Sequence, residues 1–224
     1  LLTVPGLTQA DILNACVSVP GQEYISLLGY RGGESLMKYP KITRDKAVEL
    51  FVSLRYLADY IILDCAAVFE ADPASFVGIE IADRVLRLGT ANLKGISYYQ
   101  THTPMLADSR FDKERHQTAI GYLKVGQDWE SASGQYGGVD YVLPYVAELE
   151  QQDNERALFL PLQTQESAPY SAEINRIVAA LFGLQTAPAV KEKGVKKKGA
   201  GSAVPLQAAK GGLKLPFARN RGEF

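Results

Sequence analysis

The sequence predicts an α/β domain with a mainly parallel sheet flanked by helices over residues 1–186, followed by a basic tail over 187–224. Three observations carry that expectation. Residues 60–64 (YIILD) form an unbroken apolar run closed by a single acid, Asp64, and such a run calls for cover on both faces, as a strand between helix layers has. Strand-like and helix-periodic segments then alternate along the chain, the order in which crossover helices join parallel strands. Beyond Gly183 the composition turns to Ala, Pro, Gly and Lys. Such a segment buries too little apolar surface to offset the entropy of ordering it, so disorder is expected there.

The elements follow in order. Residues 7–17 place Leu7, Ile12, Leu13 and Cys16 at helical spacing behind Thr8, a residue suited to an N-cap. After Pro20-Gly21, the segment 23–31 (EYISLLGYR) reads as a buried strand that stops at Gly32-Gly33. Thr43 then caps a helix over 45–58, with apolar residues at 47, 48, 50, 51, 54 and 57. The strand 60–64 follows almost at once. A helix near 73–81, a strand over 83–90, a helix near 94–107, strands over 117–125 and 139–146, and a closing helix over 170–183 complete the domain.

Bulk properties bound the function. With 46% hydrophobic and 22% charged residues the body is neither disordered nor membranous, and no segment nears the ~18–20 apolar residues that span a bilayer. A soluble, cytoplasmic protein is expected, with peripheral association at a membrane or nucleoid through the tail. Cys16 and Cys65 lie among apolar residues without C-x-x-C spacing, which suits small buried thiols in a reducing compartment. The chain opens Leu1-Leu2-Thr3, without an initiator methionine or a secretory signal, so the remainder of a longer polypeptide is expected. The net charge of −1 conceals an asymmetry, because residues 191–224 hold nine Lys/Arg and two acids. That tail suits DNA or an anionic membrane, or a plain solvated linker, and its Leu213, Leu215 and Phe217 suit a short anchor on a partner.

An acid at the carboxyl end of a parallel strand points into the crevice where such sheets bind ligands, the layout of a Walker B strand. Its usual partner, a G-x-x-x-x-G-K-[ST] phosphate loop, occurs nowhere in the 224 residues. Arg31-Gly32-Gly33-Glu34-Ser35 follows a predicted strand but lacks the Gly-Lys-[ST] ending and reads as a turn. His102 and His116 stand apart from any metal-ligand spacing and suit surface or capping roles. Ser97 and Ser131 lie outside any G-x-S-x-G elbow, which argues against a serine hydrolase.

Taken in order, these segments resemble the ParA/MinD family of deviant-Walker P-loop ATPases, and within it the CpaE/TadZ-like members. LADYIILDCAAVFE (57–70) is similar to the family's Walker B strand and switch II, and DRVLRLGTANLKGISYY (83–99) to the strand and loop that follow. AIGYLKV (119–125) falls where members carry an asparagine-bearing strand, VDYVLPYVAELEQQDNERALFL (139–160) resembles the family's proline-loop segment, and YSAEINRIVAALFG (170–183) the closing helix. The resemblance implies an N-terminally incomplete SIMIBI/MinD-like fold, its phosphate-loop strand lying upstream. Two strands would then face a gap with unpaired backbone groups. It implies ATP and Mg²⁺ at a homodimer interface, with Asp64 as the switch II acid holding a magnesium-bound water. Pro144 would lie beside the adenine, and Tyr122 near the place of the base-reading asparagine. Tyr122 can stack but offers no amide pair, and Ala66, Ala67 and Val68 replace the family's Pro-x-Gly. The implied function is positioning or partitioning of a secretion, pilus or DNA-segregation complex. The alternative is a non-hydrolysing scaffold that recruits such a complex; this chain alone is expected not to hydrolyse ATP.

Overall fold

The structure, a computed structural model, describes residues 1, 3, 5–157 and 160–184. The expected tail and its Leu213, Leu215 and Phe217 anchor lie outside the described residues. Helix α1 (Gln9–Ala15) starts at a capping box: the Thr8 side chain accepts from the Asp11 amide, and the Asp11 carboxylate accepts from the Thr8 amide at 3.0 Å. The Leu7 amide donates to Glu49 Oε1 at 2.6 Å, which ties the start of this helix to α2 (Arg44–Leu54). Thr43 caps α2 through the Lys46 amide, as its sequence predicts.

Between these helices, β1 (Val17–Val19) and β2 (Gln22–Leu27) pair antiparallel around Pro20-Gly21, with Gly21 at φ +76°. This corrects the expected buried strand over 23–31, since Tyr24 is 84% exposed and the two strands pair only with each other. A partner two residues away costs far less loop-closure entropy than a distant parallel one, and Pro followed by Gly suits the tight turn. Helix α3 (Pro73–Ile81) begins behind Asp72, whose carboxylate accepts from the Ser75 amide, and opens on Pro73, where no amide is needed. Ala47, Val48 and Phe51 of α2 pack on Ala74, Val77 and Ile81 of α3.

The central sheet is parallel, in the order β3 (Val85–Thr90), β4 (His116–Leu123), β5 (Tyr141–Pro144). One face packs Ile120 under α4 (Leu93–His102) and α5 (Trp129–Gln135) through Tyr99, Ala132 and Tyr136. The other packs Ala119, Tyr141 and Leu143 against Ile174, Ile177 and Leu181 of α7 (Ala168–Phe182), which ends at Gly183 in the left-handed region, φ +65°. The helix expected to reach residue 107 changes to a 3₁₀ turn over Thr103–Ala107, because Pro104 supplies no amide and its ring crowds the preceding turn. Helices α5 and α6 (Ala147–Asn154) were not anticipated, because WESASGQ and AELEQQDN carry too few large apolar residues to write an apolar stripe into the sequence. Among the described residues, no helix is long and apolar enough to cross a membrane.

Residues 60–64, expected as a core strand, join no ladder. Ile61, Leu63 and Cys65 are half-buried while Tyr60, Ile62 and Asp64 are exposed, the alternation of a strand with one face covered. The covered face meets α3, where a Cβ on Gly78 would lie 2.9 Å from Leu63 Cδ1, so glycine is what lets the segment approach. On the open face Ile62 is 81% exposed, and only the ring of Tyr60 finds an aromatic partner, Phe182, at 5.1 Å. In the central sheet β3 gives one edge to β4 and, among the described residues, leaves the other unpaired, with Leu88 67% exposed. Apolar composition alone does not make a strand without a neighbour to complete its hydrogen bonds.

Candidate functional site

Asp64 ends the apolar run with its side chain exposed, and its carboxylate forms no hydrogen bond or ion pair among the described residues. The loop behind it is tied down at three points, by Ser75, Tyr98 and Phe69, and a fourth residue, Glu70, approaches His102. The Ala66 amide donates to Ser75 Oγ at 2.8 Å, and Ser75 Oγ donates in turn to Asp72. The Tyr98 hydroxyl donates to the Ala67 carbonyl. Phe69 is buried against Phe76 and Phe111, and Glu70 Oε1 lies 2.8 Å from His102 Nδ1. His102 and His116 are partly buried and stand at capping positions, His102 before the 3₁₀ turn Thr103–Ala107 and His116 after that over Lys113–Arg115. Cys16 and Cys65 depart from full burial; both are partly exposed, though burial still pushes the Cys65 thiol up.

Tyr122 and Pro144 meet at the carboxyl edge of the sheet. Leu123 pairs with Pro144, and the register slips between Ile120 and Leu123, so Gly121 and Tyr122 together oppose Leu143. This bulge turns Tyr122 outward at φ +55° with 66% of it exposed, a left-handed conformation that is uncommon outside glycine and clusters at binding sites. The Tyr145 amide donates to the Leu123 carbonyl at 3.0 Å, and Lys124 Nζ stands 5.0 Å from the centre of the Tyr145 ring. Burial raises the pKa of the Tyr170 phenol on α7, and Tyr122 adds to it. No hydrogen bond, ion pair or ring contact joins Asp64 to Tyr122 or Pro144 among the described residues.

The same edge holds a cavity of about 640 Å³ between the starts of α4 and α5, lined by Asn92, Lys94, Asp128 and Ser131. Asn92 Oδ1 accepts from the Gly95 amide at 2.9 Å, and Gly95 is required because a Cβ there would sit 2.2 Å from Thr90 Oγ1. Lys94 and Asp128 escaped the sequence reading as site residues, although Asp128 carries an ordinary N-cap signal that would have located the start of α5. The edge thus offers an aromatic platform, a proline and a lysine. The described residues supply no group of three or more His, Cys, Asp or Glu able to hold a metal.

No family model matches the chain, and no curated protein matches it. Among solved structures it is similar to the ParA family ATPase from Chlorobium tepidum TLS, with a TM-score of 0.58 and 15% sequence identity over 80% of this chain and 71% of that one. An identity that low speaks for the fold alone. The chain therefore has a mixed α/β fold, a parallel sheet flanked by helices, of the kind found in a ParA-like P-loop NTPase.

Proposed function

We propose that the chain is the nucleotide-facing body of a ParA/MinD-like positioning or partitioning protein, serving pilus, secretion or DNA-segregation machinery through an ATP-dependent homodimer. The observation that carries this reading is Asp64, an exposed carboxylate without a partner at the end of its apolar run, in a fold shared with a ParA family ATPase. An unpaired acid there fits a group that orders a magnesium-bound water, and Tyr122 and Pro144, neighbours at the carboxyl edge of the sheet, fit a platform for a base. The phosphates are another matter, because the 224 residues contain no G-x-x-x-x-G-K-[ST] loop to cradle them. A strand carrying such a loop, laid along the unpaired edge of β3, would complete the backbone hydrogen bonds of that edge. The basic residues 191–198 then supply attraction to DNA or an anionic membrane.

The test is association of the full-length gene product, measured by sedimentation with and without Mg²⁺ and ATP. Nucleotide-dependent dimerisation that Asp64→Ala abolishes supports the switch. Identical association in both conditions rejects it.

A second reading, a non-hydrolysing scaffold, is favoured by the loop behind Asp64. Its ties to Ser75, Tyr98 and Phe111 oppose the movement a nucleotide switch requires. On this reading Asp64→Ala leaves cellular positioning intact and removal of residues 191–224 abolishes it. The reverse pattern eliminates the scaffold.

A further inference from the structure

At the opposite end of the sheet from Tyr122 lies a second cavity, of about 570 Å³, within the roughly 300–1,000 Å³ usual for small-ligand sites. His116 opens β4 and Tyr122 nearly ends it, so six steps of about 3.3 Å separate the two regions by ~20 Å. Arg87 and Lys113 bring positive charge to the lining, His116, Gln100, Thr103 and Gln135 stand beside them, and no Asp or Glu lines it among the described residues.

Arg87 is the centre of this lining. Its Nη2 donates to Thr118 Oγ1 at 2.7 Å and its guanidinium carbon stands 5.2 Å from the centre of the Tyr99 ring. Its Nε is buried with no hydrogen-bond partner, and among the described residues Arg87 has no carboxylate partner. A guanidinium keeps its charge at every physiological pH, so a buried, unused donor on it calls for an acceptor. Burial, and then the charge of Arg87, hold the His116 imidazole below its usual pKa, while Asp112 acts in the other direction. Arg115, the remaining cation of the segment, is already paired with Asp112 and with the Ala82 carbonyl. The carbonyl ends of α4 and α5 face the same region and favour cations, but neither supplies an acceptor to Arg87 Nε.

We propose that this cavity binds a small ligand through one oxyanion group, phosphate or carboxylate, held by the Arg87 guanidinium with Lys113 and His116 around it. Charge-assisted hydrogen bonds to a guanidinium are the strong, directional kind, and the glutamines and Thr103 supply further donors for the rest of such a ligand. The site is separate from the nucleotide edge and does not rest on the function proposed above.

The chain contains only two histidines, which makes the test direct. Inorganic phosphate, acetate and chloride are titrated into the full chain at constant ionic strength while the proton spectra of His102 and His116 are followed, with His102→Gln fixing the assignment. Saturable movement of the His116 resonance with phosphate or with acetate, but not with chloride, is expected, and whichever anion acts identifies the source. Lys113→Ala, at an exposed position that leaves the fold untouched, should weaken binding roughly tenfold, as expected for one charge-assisted contact. Arg87→Lys should abolish it while the fold persists by circular dichroism. No saturation, or a response that is the same with chloride or unchanged in Lys113→Ala, overturns the proposal.

Discussion

Gly89→Ala tests how the sheet is joined to its helices. A methyl group on Gly89 would fall 2.5 Å from Cε1, 2.6 Å from Cζ and 2.8 Å from the hydroxyl of Tyr136. Carbon atoms rest about 3.5–4 Å apart, so the ring would have to retreat by roughly an ångström. It has little room, being 4% exposed and packed with Tyr99, Ile120 and Ala132. Retreat would also strain two hydrogen bonds, since the Tyr136 hydroxyl accepts from the Thr90 amide at 3.1 Å and donates to the Thr90 carbonyl at 2.8 Å. Overpacking costs about 1–3 kcal/mol and the bonds about 1 kcal/mol each, against roughly 0.4–1 kcal/mol regained from a stiffer unfolded chain. The expected net loss is about 2–4.5 kcal/mol, read as a lower urea midpoint and a fall of roughly 2–4 °C in Tm per kcal/mol. In a Tyr136→Ala background the same substitution should cost less than about 0.5 kcal/mol. A Gly89→Ala protein as stable as wild type, or an equal cost in both backgrounds, would refute the reasoning.

Other perturbations reach other parts of the fold. Thr43→Ala removes the acceptor of the Lys46 amide and should cost about 1 kcal/mol by urea denaturation, whereas Thr43→Ser should cost little. Glu148 accepts from Ser167 Oγ, the amides of Gln163 and Thr164 and the Thr164 hydroxyl, which holds its carboxyl down to about 2. Because the folded pKa lies below the unfolded one, its stabilisation is present above about pH 4.5 and lost as pH falls towards 2. Carbon-detected titration should show it ionised at pH 3, and Glu148→Gln should flatten the acid limb of the stability curve. Tyr98→Phe frees the Ala67 carbonyl, so amide exchange over residues 66–70 should quicken while that of β4 stays unchanged.

Local chemistry was legible where it was self-contained. Thr8 and Thr43 announced their helices because a cap involves residues three apart, and Gly183 marked the end of α7 because few other residues adopt its left-handed backbone. Strands 83–90, 117–125 and 139–146 were legible as apolar runs, each trimmed by a residue or more at an end in the structure. The run 60–64 misled because its composition reports covered faces and says nothing of a ladder partner, which a neighbouring strand must supply. The segment 23–31 misled for the opposite reason, its partner lying just across Pro20-Gly21. At the proposed site, Tyr122 and Pro144 come together through the β4–β5 register. The bulge that turns Tyr122 outward, and the pins on the loop after Asp64, arise from contacts across tens of residues that no local pattern records.

The most direct test of the account is sedimentation of the full-length gene product with Mg²⁺, with and without ATP, repeated for Asp64→Ala. Asp64 is exposed and unpaired, so its loss should change stability by less than about 0.5 kcal/mol and leave the fold intact. An ATP-dependent dimer in the wild type that the variant fails to form is the predicted result. A sedimentation coefficient indifferent to ATP in both proteins would contradict the nucleotide switch.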